Sequence, residues 1–221
     1  TKTVNSFPSI LKGSSPTDGG ELLLDKKEKI EILSCHPEVS QFIKQFVGSD
    51  DFINGKYRYC LWIQENQYSN AYAIPLIKER IEKVKLMRLN SKKEATKKDA
   101  GRAFQFAECR YKDTDCIIIP RHSSENREYI PMGFLSKGTV VADSAFAVYD
   151  APMWLFGILT SKIHMAWVKI VGGRLKTDYR YSAQLCYNTF PFPKISEEKK
   201  KQIESAADEV LLCREDYHAK K

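Results

Sequence analysis

From Pro152 to about Val171 the chain is almost wholly apolar, with ionisable side chains only at Lys162, His164 and Lys169. Such a stretch must be covered, and what covers it limits every fold the chain can adopt. A membrane-spanning helix needs about 20 predominantly apolar residues. Here three ionisable side chains fall inside the window and the uninterrupted apolar runs are short. The segment therefore predicts a buried helix, stopped by Gly172-Gly173. His164 on that helix reads as a hydrogen-bonded core or interface residue rather than a catalyst. At 221 residues the chain is long enough to bury a real core, as one sizeable domain or one with a small appendage.

The remaining elements do not fall into a regular order. Asn5 to Gly20 carries Pro8, Gly13, Ser14, Ser15, Pro16, Asp18, Gly19 and Gly20, a density of breakers that excludes regular structure over most of it. A linker or a loop laid over a surface is expected there. Pro37 and Glu38 predict a helix running to about Phe46, closed by Gly48-Ser49-Asp50-Asp51. Tyr57–Ile63, after the turn signal Asn54-Gly55, predicts a buried strand. Ile74, Ile77, Ile81 and Val84 line one face of a helix from Pro75 to about Asn90. Phe104–Arg110 and Asp115–Pro120 are strand candidates, the latter with the β-branched run Ile117-Ile118-Ile119. Tyr129–Pro131 and Val140–Tyr149 are expected to be extended. Ser196 with Glu197 and Glu198 resembles a helix start, and Ile203, Ala206, Ala207, Val210 and Leu211 form one apolar stripe beyond it. Strands and helices mix without a βαβ rhythm or an internal repeat, so the expected fold class is α+β, an irregular mixed α/β domain with a C-terminal helical extension.

Chemistry is conspicuous mainly for what is missing. A glycine-rich turn opening a helix after a strand, as S-adenosylmethionine binding requires, is not found: Gly19-Gly20 and Gly172-Gly173 sit in other contexts, and Pro-Pro, the centre of the (Asn/Asp/Ser)-Pro-Pro-(aromatic) loop of amino-methyltransferases, does not occur. The Glu-x-Lys matches, Glu197-x-Lys199 and Glu198-x-Lys200, lie in a helix's first turns and read as solvated charge. No nucleophile elbow, Walker loop or zinc-protease motif occurs. Catalytic and metal-ligating residues are therefore expected to be none. Six cysteines without a C-x-x-C pair, and the lack of a signal peptide, read as free thiols in a reducing cytosol, hence a cytoplasmic protein. The chain begins at Thr1 rather than Met, a hint that it was excised from something longer.

Charge supplies the positive signal. Thirty-five Lys and Arg against 28 Asp and Glu give +7 and a pI near 9.0, the direction expected for a phosphate-rich partner. Between Lys83 and Arg102 stand Lys83, Lys85, Arg88, Lys92, Lys93, Lys97, Lys98 and Arg102, opposed only by Glu94 and Asp99. This stretch fits either phosphate contact or a solvated helix end. Arg121-His122-Ser123-Ser124-Glu125-Asn126-Arg127 mixes the side chains that read base edges: Arg pairs with guanine, Asn with adenine, Glu accepts from cytosine, Ser serves either. A plain polar loop would have the same composition. Gly173–Ser182 interleaves Arg174, Lys176 and Arg180 with Tyr179 and Tyr181, a pattern able to lie along a phosphate backbone, or equally to bury its tyrosines and pair its arginines. Three such segments without catalytic motifs make a DNA-holding surface the leading reading.

The wording of the sequence adds a family. Gly48–Gly55 followed by Arg58–Trp62, then Arg121–Pro131, Phe156–Ser161, His164–Val168, Gly173–Ser182 and Tyr187–Pro193, resemble in order the target recognition region of MmeI-like type IIG/IIL restriction-modification enzymes. That family's plan is an N-terminal endonuclease, a helical spacer, an adenine-N6 methyltransferase, then the recognition domain and C-terminal helices. The resemblance implies a linker from the methyltransferase at residues 1–20, a recognition domain at 21–194 and the start of the helical region at 195–221. It further implies that a Glu-x-Arg pair, here Glu125 and Arg127, helps set the recognised base; Ser123, Ser124 and Asn126 are base-reading candidates by the chemistry of their side chains alone. Lys92, Lys93, Lys97, Lys98, Arg102, Arg121, Arg174, Lys176 and Arg180 are the candidates for the DNA backbone.

Expected partners are duplex DNA and the upstream methyltransferase domain of the same chain, with no membrane. No cofactor is expected in this fragment; the parent would use S-adenosyl-L-methionine, and Mg if its nuclease is present. The rival expectation is a basic protein-interaction module without DNA specificity, docking through the apolar Pro152–Val171 segment.

Overall fold

The structure, a computed structural model, describes residues 7–219, and side chains as far as 216. In chain order the first half forms β1 (Ile10–Lys12), β2 (Leu23–Leu24), α1 (Lys26–Cys35), β3 (Ile43–Val47), α2 (Ser49–Asn54), β4 (Arg58–Leu61), α3 (Tyr68–Tyr72), α4 (Pro75–Leu89) and α5 (Glu94–Lys98). The second half forms β5 (Cys116–Pro120), β6 (His122–Ser123), β7 (Gly133–Leu135), β8 (Thr139–Val141), β9 (Ala145–Tyr149), α6 (Met153–Leu159), α7 (Lys162–Val171), β10 (Gly173–Leu175), β11 (Asp178–Arg180) and α8 (Glu197–Ala219). This is an irregular mixed α/β fold, with three small sheets among the described residues rather than one large one.

Two compact units are interleaved along the chain. One comprises residues 12–113 and 138–144, the other 1–11, 114–137 and 145–221. The first has the sheet β2-β4-β3-β8, in which β3 pairs antiparallel with β4 and parallel with β8. Its core gathers Leu22, Phe42, Phe46, Leu61, Ile77, Ile81, Val84 and Phe106. The N-terminal breaker segment is laid along this unit. Ser14 N donates to Val141 O at 2.8 Å, and Ser15 exchanges backbone hydrogen bonds with Glu108. Only glycine fits just before them, since a Cβ on Gly13 would stand 2.1 Å from Ala142 O.

Four expectations change here. The helix foreseen from Pro37 to Phe46 is a short 3-10 helix over Pro37–Phe42 followed by β3, because Ile43–Val47 finds strand partners on both sides, which outweighs local propensity. Gly48–Asp51 then opens a helix instead of closing one: Asp51 Oδ2 accepts from Gly48 N at 2.7 Å, and Asp51, 4% exposed, also accepts from Arg58 Nε at 2.8 Å. Phe104–Arg110 is not a strand, since its polar groups go to Arg102, Pro16, Ser15 and Ser14 through turns and one isolated bridge. Within the foreseen breaker loop, Ile10–Lys12 is regular and joins β9 as β1; the part before Phe7 lies outside the described residues.

The second unit has the sheet β1-β9-β5-β7, with β5 buried throughout, and the small sheet β10-β11-β6. The apolar Pro152–Val171 segment is two helices rather than one. The break falls at Thr160-Ser161: Thr160 Oγ1 donates back to Phe156 O at 2.9 Å, and Ser161 Oγ caps α7 by accepting from His164 N at 3.2 Å. Helix α6 is mostly buried, whereas α7 is amphipathic, with His164, Met165 and Val168 inside and Ile163 and Ile170 on the surface. Helix α8 begins after Ser196, whose Oγ accepts from Lys199 N. Its inward stripe is Ile203, Ala207, Leu211 and Arg214; Ala206 and Val210, expected on that stripe, are exposed. Among the described residues no helix is long and apolar enough to cross a membrane.

Candidate nucleic-acid interface

Two of the three polar segments meet in the sheet β10-β11-β6. Ser123 stands opposite Tyr179 and His122 opposite Arg180, while β10 and β11 form a hairpin that pairs Arg174 with Tyr179. The hairpin turn includes Lys176 at φ 57°, in the left-handed region. Alternation along the strands sorts its residues. Tyr179 and Tyr181 are buried, and Arg174, Lys176, Asp178 and Arg180 are exposed. The Arg174 guanidinium lies 4.1 Å from the centre of the Tyr179 ring and donates to Thr177 O at 3.2 Å.

Beyond β6 the chain turns. Arg127 N donates to Ser124 O at 3.1 Å, Asn126 N to Ser124 Oγ at 3.3 Å and Glu125 N to Asp178 Oδ1 at 3.2 Å. The hairpin thus holds the entry of the loop, and the side chains of Glu125, Asn126, Arg127 and Glu128 stand in solvent. Ser124 is partly buried. Ser123 differs from its companions: it is 3% exposed and its Oγ has no hydrogen-bond partner, so its side chain faces the interior. Loop exit is fixed by Ile130 and Met132, both in the core.

Arg121, Arg180, Tyr181 and Ser182 line a cavity of about 220 Å³ beside the small sheet. The Arg121 guanidinium lies over Phe146, and Arg121 O accepts from Tyr181 N at 2.9 Å. Partial burial, and then the guanidinium groups of Arg121 and Arg180, hold His122 below the usual histidine range, with Asp178 pulling the other way. Beneath the sheet, His164 Nε2 and Tyr181 Oη are hydrogen-bonded at 3.0 Å. Burial pushes the His164 imidazole down to about 4, so it is neutral and structural at physiological pH.

The third polar segment lies in the other unit. Lys92, Lys93, Lys97 and Lys98 are exposed on and before α5, with Lys97 Nζ 2.7 Å from Glu94. Arg102 is engaged by the fold: its Nε and Nη2 donate to Asp99 Oδ1 at 3.0 and 2.8 Å, and Nη2 to Ala107 O at 2.7 Å. Arg88, counted with the basic stretch in the sequence, is fully buried. It donates to the carbonyls of Pro16, Thr17, Asp99, Arg102 and Gln105 at 2.7–3.1 Å. Five backbone carbonyls around one guanidinium make it a structural rivet, not a phosphate ligand. In the sequence Arg88 continues the stripe Ile77, Ile81, Val84 with helical spacing, which points it inward but names none of the carbonyls that receive it.

The glycine pairs serve turns and a helix end. Gly19 and Gly20, both at positive φ, form a turn in which Asp18 Oδ2 accepts from Leu22 N at 2.6 Å, and Gly172 ends α7. Neither opens a helix after a strand. Among the described residues no group of three or more His, Cys, Asp or Glu is placed to hold a metal ion. What the second unit does offer is a run of exposed donors and acceptors, Glu125, Asn126 and Arg127, beside the exposed Arg174, Lys176 and Arg180 of a strand pair.

Several known proteins are similar to this chain. DNA methyltransferase A of Bacillus subtilis (strain 168) is 44% identical over 216 residues, which is 98% of this chain and 25% of that protein. The type IIL restriction-modification enzyme MmeI, solved in complex with DNA, superposes with a TM-score of 0.93 at 38% identity, over 98% of this chain and 29% of that one. The type IIG restriction endonuclease BpuSI is similar in fold, with a TM-score of 0.55 at 15% identity over 92% of this chain and 25% of that one. The chain therefore spans about a quarter of the length of the curated relative it matches. The family described as "MmeI, target recognition domain" matches residues 1–194. By that match, the chain belongs to the MmeI target recognition domain family.

Proposed function

We propose that this chain recognises a specific duplex DNA sequence for a bifunctional restriction-modification enzyme, positioning a target adenine for N6 methylation by an upstream domain of the same polypeptide. The observation that carries the reading is the sheet β10-β11-β6, which sets the exposed Glu125, Asn126 and Arg127 beside a hairpin bearing Arg174, Lys176 and Arg180. Arg127 acts as a donor to a base edge in the major groove, and Glu125 orients it or accepts from cytosine. Arg121, Arg174, Lys176 and Arg180, with Lys92, Lys93, Lys97 and Lys98 of the other unit, contact phosphates and carry no sequence information. S-adenosyl-L-methionine, and Mg where a nuclease is present, belong to other domains of the parent, which works on DNA in the cytoplasm.

Methylation-site mapping of the full-length enzyme tests this. Arg127→Ala is expected to relax one base pair of the recognised word at a cost of roughly 1–3 kcal/mol, whereas Lys97→Ala weakens all sequences alike and lowers the salt slope by about one. Unchanged sites in Arg127→Ala would end the base-reading assignment. The rival reading, a protein-interaction module, draws on Ile163 and Ile170 of α7, which are 75% and 80% exposed. Duplex-DNA binding that falls steeply as salt rises supports phosphate contact and counts against this rival.

A further inference from the structure

The matched family region ends at residue 194, yet a side chain beyond it reaches the candidate reading loop. Arg214, on α8, donates from Nη1 to Met132 O at 2.7 Å, and its guanidinium lies 5.4 Å from the centre of the Tyr129 ring and 5.7 Å from that of Phe156. Tyr129 directly follows the exposed run Glu125–Glu128, and Met132 is fully buried two residues past Ile130. One planar cation therefore holds both the last exposed residue of the loop and the backbone at the point where the loop re-enters the core. The loop's other end is tied through Glu125 N to Asp178. Helix α8 is itself seated against the same unit: Ala207 is 3% exposed, and Ile203 and Ala207 close over Gly157 of α6, where a Cβ would stand 2.5 Å from Ile203 Cγ2. With both ends fixed, four polar side chains can be presented to a groove in one arrangement, and preorganisation of that kind discriminates among base pairs.

We propose that Arg214 is a positioning residue for base recognition, and that α8 belongs to the reading head rather than to a tail that merely follows it. The inference rests on the assignment of Glu125 and Arg127 as base readers. Arg214 touches no base itself; it acts through Tyr129 and Met132.

The test is methylation-site mapping and kinetics of the full-length enzyme carrying Arg214→Met, Arg214→Lys or Arg127→Ala. Arg214→Met retains an apolar stem of similar length but has no donor or charge. It is expected to raise methylation at sites altered in the base pair read by Glu125 and Arg127, relative to the cognate site, on the order of tenfold. Discrimination at the other base pairs stays as it is. Arg214→Lys, which keeps the charge and a donor to Met132 O, is expected to restore part of that discrimination. A role in stability alone would lower methylation at every site together and leave the pattern intact, and that result overturns the proposal. So does an unchanged pattern in Arg214→Met while Arg127→Ala relaxes its base pair. If Arg127→Ala itself changes nothing, the failure lies in the base-reading assignment, and the inference falls with it.

Discussion

His164 is 1% exposed, hydrogen-bonded to Tyr181 through Nε2, and has no partner at Nδ1. Its pKa is held at about 4 in the folded chain by burial, against about 6.5 in an unfolded one. Between those values the unfolded chain binds the extra proton, so this residue's contribution is intact above pH 6.5 and drains away as pH falls toward 4. The loss amounts to about 3 kcal/mol. In His164→Gln, which keeps a polar partner for Tyr181 but does not titrate, the urea midpoint should fall less between pH 7 and pH 4.5 than in the parent chain; equal slopes would refute this. His164 was legible in the sequence as a core histidine because it sits on an apolar helix. Arg88 and Arg214 were not, although each extends an apolar stripe, Ile77-Ile81-Val84 in one case and Ile203-Ala207-Leu211 in the other. An arginine is assigned to solvent by habit. The carbonyls that accept from Arg88 come from residues up to 72 positions away, and the Met132 carbonyl that accepts from Arg214 is 82 away, distances that no local pattern encodes.

At the level of elements, those whose partners are local or whose periodicity is long were readable. Helix α4 and strand β5 lie where their patterns put them. The elements missed were short ones decided by tertiary pairing: β3 owes its form to β4 and β8, and the Phe104–Arg110 segment was drawn into turns by Ser14–Pro16. The hairpin β10–β11 explains why composition could not settle the Gly173–Ser182 segment, since both offered roles are filled: tyrosines inside, basic residues outside. Gly157 of α6 gives a test of how α8 is seated. Alanine has the higher helix propensity, by about 1 kcal/mol, yet Gly157→Ala should destabilise the chain by about 1–3 kcal/mol, because its methyl would meet Ile203 Cγ2 and the Ile203 carbonyl oxygen, 3.2 Å away. A raised urea midpoint in this variant would show that α6 and α8 are not packed this closely.

For the whole molecule, the boundary at residue 194 has a practical meaning. If residues 1–194 are grafted into DNA methyltransferase A, the reading loop is left against a foreign α8; a graft extending through residue 219 carries Arg214 with it. The longer graft should transfer this chain's methylation pattern with sharper discrimination at the Glu125–Arg127 base pair, and identical patterns from the two grafts would argue against α8 as part of the head. The interleaving of the two units has a different consequence, which concerns synthesis. The sheet of the first unit is finished by β8, a three-residue strand that lies parallel to β3. Ribosomes add roughly 5–20 residues per second, so roughly 5–20 seconds separate the emergence of Val47 from that of Val141. Throughout that interval one edge of β3 faces other nascent chains with its backbone groups unpaired, an invitation to intermolecular pairing that three residues arriving late withdraw.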